Sequence, residues 1–349
     1  MGGAPPRPTG LPRDCSAVSD LCPVEGTIYG YTPSLPANAA FAGFFAIAMI
    51  INLIYGIRYK TWTYMVALSL GCLAECGGYV GRVLMHNNPW NDMAFNIQIV
   101  LLIFAPSFLA AGIYLTLKHI VLQFGQEWSR LRPGWYTYIF IACDVSSLAM
   151  QSAGGAMAAM ADPGEKIGDI GTNLMIAGII WQVVVLLIFA LLVGEYAYRT
   201  YTRRHTLTAS ALALWSDRRF KTFCLAIGAA YIFILVRCAY RIPELLGGWG
   251  GELMRIELEF IILEGVMISL AVACQTIFHP GRYFPAITGK VGYMHQKIVS
   301  VEDTEMEPLS SYEDVRPAGR YGDVRPAERY EEMRSANGGY SGGRTTGEA

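Results

Sequence analysis

Ionisable and amide side chains recur seven residues apart inside otherwise apolar stretches of this chain. Glu75 is followed by Arg82, Asp144 by Gln151, Arg237 by Glu244, and Glu257 by Glu264. Seven residues is two helical turns, so each pair falls on one face of a helix. Tyr79 comes one turn after Glu75 and Arg241 one turn after Arg237, extending the same stripes. A charge in hydrocarbon costs at least about 2.5–3.5 kcal/mol and persists where it faces a protein interior, a ligand or an ion. Four such stripes turned inward predict one polar interior that holds a polar ligand or relays protons. Its acids (Glu75, Asp144, Glu244, Glu257, Glu264) exceed its bases (Arg82, Arg237, Arg241) by five to three. Ion pairs would neutralise three acids and leave two for a proton or a cationic ligand. A plainer role stays open, above all for the arginines: buried pairs also fix helix register.

Other chemistries find little support. The chain has no G-x-x-x-x-G-K-[ST], so no P-loop would drive transport with ATP, and it has no G-x-S-x-G or H-E-x-x-H. Its five histidines (His86, His119, His205, His279, His295) lie at helix ends, in loops or in the C-terminal stretch. A zinc site needs three or four converging ligands, so neither a metal nor a cofactor is expected. An intramembrane lipid hydrolase built on Asp144 with Ser146 or Ser147 would lack a histidine base at that depth, and the chain reads as no enzyme. A net charge of −1 and a pI near 6.5 give no footprint for nucleic acid.

The stripes need membrane helices to carry them. Hydrophobic residues make up 53% of the 349 and charged residues only 16%, against about 25% charged in soluble domains. A span needs roughly 20 apolar residues. Ala37–Ile57, Ala94–Leu117 and Ile170–Val193 are uncharged throughout. Trp62–Leu84, Trp135–Met157, Thr222–Arg241 and Leu258–Phe278 are apolar and carry the stripes. The expected fold class is therefore an all-α integral membrane protein with seven transmembrane helices. Loops at 58–61, 118–134 and 194–221, with residues 279–299, hold 14 Lys and Arg, against 4 in the segments of the other side. Basic loops stay cytosolic, so the N-terminus is expected outside and the C-terminus in the cytosol. In that orientation Glu75 and Asp144 fall near the midplane. Arg82, Gln151, Arg237, Arg241, Glu244 and Glu257 fall in the outer half, which predicts a polar cavity opening outward.

Three regions follow: an extracellular N-terminal segment (1–36), the seven-helix domain (37–281) and a cytosolic tail (282–349). The tail is rich in charge, Pro and Gly, with a tandem repeat beginning at Tyr312 and Tyr321. Such composition buries little apolar surface and reads as largely disordered, a solvated extension or a docking segment for regulators. Cys15 and Cys22, outside the membrane, are a disulfide candidate. The six other cysteines lie in helices, where a thiol packs as a small hydrophobe.

Taken in order, these segments resemble the fungal lipid-translocating exporter family, the RTA-like seven-span proteins named for resistance to aminocholesterol. The residues that carry the resemblance run from Tyr29-GYTPSLPAN before the first span, through Glu75-CGGYVGR, Ala105-PSFLAAGIY, Asp144-VSSLAMQSAGG and Gly178-IIWQ. Arg237-CAYRIPE, Glu257 and His279-Pro280-Gly281 follow. One position departs: the family usually has Asp where this chain has Glu264. The resemblance implies a fungal plasma-membrane protein, or alternatively a vacuolar one, linked to resistance and to export of amphiphilic lipids or drugs such as sphingoid bases and aminosterols. A seven-helix lipid or stress sensor is the alternative that it leaves open.

Overall fold

The computed structural model describes residues 15, 17–20, 22–125, 129–130, 132–161, 166–248 and 250–284. Most of the expected tail, from residue 285 on, lies outside the described residues. Among those described, the chain is helical, with one isolated bridge between Ser19 and Cys22 and no longer strand. The long helices are α1 (Leu35–Tyr59), α2 (Trp62–Asn87), α3 (Asp92–Phe124), α4 (Pro133–Met160) and α5 (Lys166–Thr202). A short α6 (Ala209–Ser216) precedes α7 (Arg218–Leu246). The last long helix starts as α8 (Glu257–Glu259), passes through a π-helical segment (Phe260–Val266) and continues as α9 (Met267–Ile277), before a short α10 (Pro280–Tyr283).

Six of these are long and apolar enough to cross a membrane: α1, α2, α3, α5, α7 and the Glu257–Tyr283 run. The chain is thus a multi-pass membrane protein. α4 is not among the six. Its 28 residues reach about 42 Å at 1.5 Å per residue, but Asp144, Ser146, Ser147, Gln151 and a Gly/Ala-rich end dilute its apolar character.

The helices bury polar side chains within an apolar core and expose large apolar ones, unlike a soluble amphipathic helix. On α1, Asn38, Phe45, Ala48, Asn52 and Gly56 are buried, while Ile47, Ile50, Ile54 and Ile57 are exposed. α1 ends on Lys60 in the left-handed conformation (φ 57°), and the Thr61 amide returns to the Gly56 carbonyl at 3.0 Å. This tight stop folds α2 straight back along α1. α3 lies along α2 and also contacts α4 and α7, α4 lies along α5, and α7 runs beside α9. The α4–α5 seam is a backbone contact. A Cβ on Gly154 would sit 2.5 Å from the Gly171 carbonyl oxygen, and one on Gly171 would sit 2.6 Å from that of Gly154. Only residues without a side chain allow this approach.

Candidate functional site

α2, α7 and the π-helical segment bring most of the predicted stripe residues into one buried cluster. Glu75, Tyr79, Arg82, Arg237, Arg241, Glu244 and Glu264 are all buried. Arg237 pairs with Glu264, and its Nη2 also donates to the Leu102 carbonyl at 2.6 Å. That carbonyl is available because Pro106, four residues on, has no N–H to give it. The kink-forming proline therefore presents an acceptor to the arginine of another helix. Pro106→Ala would return a helical donor to Leu102. We expect thermal stability to change by less than about 1.5 kcal/mol, since one hydrogen bond replaces another. A larger loss in a melting experiment would show that the kink itself is required.

Arg241 Nη1 pairs with Glu244 Oε2 at 2.9 Å. Arg82 corrects the sequence reading, which allowed three ion pairs. It pairs with no acid among the described residues. Its Nε donates to Asn38 Oδ1 at 3.1 Å and its Nη2 to the Tyr31 hydroxyl at 2.9 Å. Its guanidinium lies 3.8 Å from the Phe260 ring centroid and 5.1 Å from that of Tyr29. An aromatic face attracts a cation, and more strongly when water is excluded.

Two of these four partners, Tyr29 and Tyr31, come from the segment before α1, which lies over the Arg82 end of the stripes. Gly30, at φ 70°, makes a left-handed turn between Tyr29 and Tyr31. Such a turn costs a residue with a Cβ more than it costs glycine. The Tyr29 hydroxyl accepts from Gln98 Nε2 at 2.7 Å. Burial, partly offset by the Arg82 cation, pushes this phenol up to about 12, so it remains protonated at neutral pH. Glu257, half-buried at the rim, accepts the Ser34 amide at 2.5 Å. His86 Nδ1 lies 2.8 Å from the Pro33 carbonyl, and Trp90 Nε1 donates to the Cys22 carbonyl at 3.3 Å. A Cys15–Cys22 disulfide ties the start of this segment. The end of the stripes that the sequence reading expected to open outward is thus packed beneath the Tyr29–Ser34 segment in this structure.

Glu75 and Asp144 stand apart. Both carboxylates are buried, and none of their four oxygens has a hydrogen-bond partner among the described residues. Glu75, at 0% exposure, has Arg237, Glu264 and Arg241 as its charged neighbours. Asp144 interacts with the hydroxyls of Tyr114 and Tyr231 without meeting strict hydrogen-bond geometry. Gln151, on the same helix, joins a chain of amides: its Nε2 donates to Gln182 Oε1 at 3.0 Å, and Gln182 Nε2 donates to Ser107 Oγ at 2.9 Å. Ser146 and Ser147 donate to backbone carbonyls, those of Cys143 and Asp144.

The π-helical segment was not foreseen. It sets Glu264 against Arg237, and its Gly265 leaves room for the Phe41 ring, 2.7 Å from where a Cβ would be. It also breaks the spacing argument for its own helix, because seven residues are no longer two turns between Glu257 and Glu264. Asn38, Gln98, Gln182 and Tyr114 were missed as site residues. A signal existed for them, since uncharged polar side chains inside apolar runs need partners as charges do.

The chain is thus a multi-pass helical bundle with buried ion pairs and two buried acids whose oxygens have no hydrogen-bond partner among the described residues. Residues 68–287 match the family described as RTA1 like protein, and the chain belongs to that family. It is 30% identical over 282 residues to the sphingoid long-chain base transporter RSB1 of Saccharomyces cerevisiae, covering 73% of this chain and 74% of that one. It is 26% identical to protoporphyrin uptake protein 1 of the same yeast over 61% of this chain and 67% of the other. Against the yeast protein RTM1 it is 25% identical, over 64% and 69%. No solved structure matches significantly.

Proposed function

We propose that this protein is an ATP-independent translocator that exports cationic amphiphiles, sphingoid bases foremost, across a fungal membrane and so confers resistance to them. The carrying observation is the pair of buried acids, Glu75 and Asp144, without a hydrogen-bond partner among the described residues. Groups of that kind must take a proton or a cation to be stable in a low-dielectric interior. The ammonium of a long-chain base is such a cation, and the transporter named for these bases is a relative. In this reading α4 is the seventh span, the N-terminus is outside, and the protein sits in the plasma membrane or alternatively the vacuolar membrane. The covered outer end is then the occluded stage of a cycle in which the Tyr29–Tyr31 segment lifts. Aminosterol drugs share the combination of amine and apolar body and would use the same acids.

Efflux of a labelled sphingoid base tests this. Glu75→Gln and Asp144→Asn are each expected to cut efflux at least tenfold at normal surface expression. Unchanged efflux in both variants would remove these acids from the mechanism.

A further inference from the structure

A cleft of about 190 Å³ opens at the far end of α2 from the Arg82 cluster, between the start of α2 and the C-terminal third of α3. Lys60, Thr61, Trp62, Thr63, Thr116 and His119 contribute to its lining, and no acidic side chain does among the described residues. The first three amides of α2 have no carbonyl of their own helix to bond. Thr61 stands at the N-cap but makes no capping bond with its side chain. Its hydroxyl is instead buried (the residue is 5% exposed) and has no partner among the described residues. An unfilled N-cap hydroxyl, free amides and the positive end of a helix dipole together favour an anion. Lys60 adds an ammonium. His119 can engage its Nδ1 with the Leu115 carbonyl, 2.7 Å away, which leaves Nε2 as the ring's remaining polar atom. Trp62, 55% exposed beside the cleft, is the kind of side chain that sits at headgroup level.

We propose that this cleft binds a phosphate group. In the orientation proposed above it lies at the cytosolic leaflet, so the phosphate can belong to a lipid headgroup or come free from the cytosol. The site is separate from the Glu75 and Asp144 interior and does not depend on what that interior carries. By seating at the start of α2, a phosphate would complete the cap of the helix that bears Glu75, Tyr79 and Arg82.

Two variants remove the site while suiting the fold. Thr61→Asp places a carboxylate, a favoured N-cap, where the phosphate would sit. Lys60→Gly removes the ammonium at a left-handed position that glycine adopts freely. The full-length protein is reconstituted in phosphatidylcholine nanodiscs containing phosphatidic acid, and lipid retention is read by native mass spectrometry. Thermal midpoints with and without millimolar inorganic phosphate form the second arm. The expected result is that wild type retains phosphatidic acid over phosphatidylcholine and that both variants lose at least tenfold while melting no lower than wild type. A midpoint raised by inorganic phosphate, without selective lipid retention and lost in Thr61→Asp, supports the site with free phosphate as its ligand. Binding of neither form, or equal binding by Thr61→Asp and wild type, overturns the proposal.

Discussion

Replacing Arg237 with methionine is expected to remove about 3–5 kcal/mol of stability, the range found when one partner of a buried ion pair is deleted. Arg237 serves two acceptors from one nitrogen, the Glu264 carboxylate and the Leu102 carbonyl. Without it, the Glu264 carboxyl, at zero exposure, loses its ion-pair partner, and its second oxygen is already unpartnered among the described residues. The Leu102 carbonyl, released by Pro106, is orphaned at the same time. Neutral hydrogen bonds between membrane helices average only about 0.6 kcal/mol; the larger figure applies here because one partner of a buried ion pair is removed. The measurement is the thermal midpoint of detergent-solubilised protein. The double variant Arg237→Met, Glu264→Met should recover most of the loss, since it leaves neither charge behind. A single variant that melts with wild type would show that the pair does not hold α7 to the π-helical segment.

The stripes themselves were legible because helical periodicity survives in an apolar background. Glu75 with Arg82, Asp144 with Gln151, and Arg237 with Glu244 are all buried as two-turn spacing predicts. What could not be read was pairing. Charge alone matches Arg82 to an acid, yet it is held by Asn38, 44 residues earlier, and by Tyr31, 51 residues earlier. Nothing in a charge count anticipates that the segment before α1 folds over the bundle and supplies aromatic faces. The π-helical turn was equally hidden, because Phe260-IILEGV is ordinary helix-compatible sequence, and the close approach of Phe41 and Tyr79 to Gly265 is a tertiary contact that its pattern does not announce. The amide chain from Gln151 through Gln182 to Ser107 was hidden for a different reason: its members carry no charge, so a search for ionisable groups passed over two of the three.

Gly154→Leu should be the most damaging substitution on α4, with a loss of about 3 kcal/mol or more, at or above the upper end for overpacking. The reason lies in what its first side-chain carbon would meet: the Gly171 carbonyl oxygen at 2.5 Å and the Met175 amide nitrogen at 2.6 Å, both backbone atoms that cannot rotate away. Accommodating a side chain requires α4 and α5 to separate. α4 is the long helix outside the six that length and composition suit for crossing a membrane, so its place depends on this contact more than on its own hydrophobicity. Separation would also turn Asp144 and Gln151 toward lipid, where each is costly. The neighbouring residue is the control. At Gly155 the only atom of the described residues within 4 Å is the Met175 sulfur at 3.9 Å, the end of a flexible side chain, so Gly155→Leu should fold and gain helix propensity. The yield of monodisperse protein on size exclusion compares the two directly. Equal yields would mean that α4 is held by something other than its backbone contact with α5, and the polar interior would then need a different scaffold on that side.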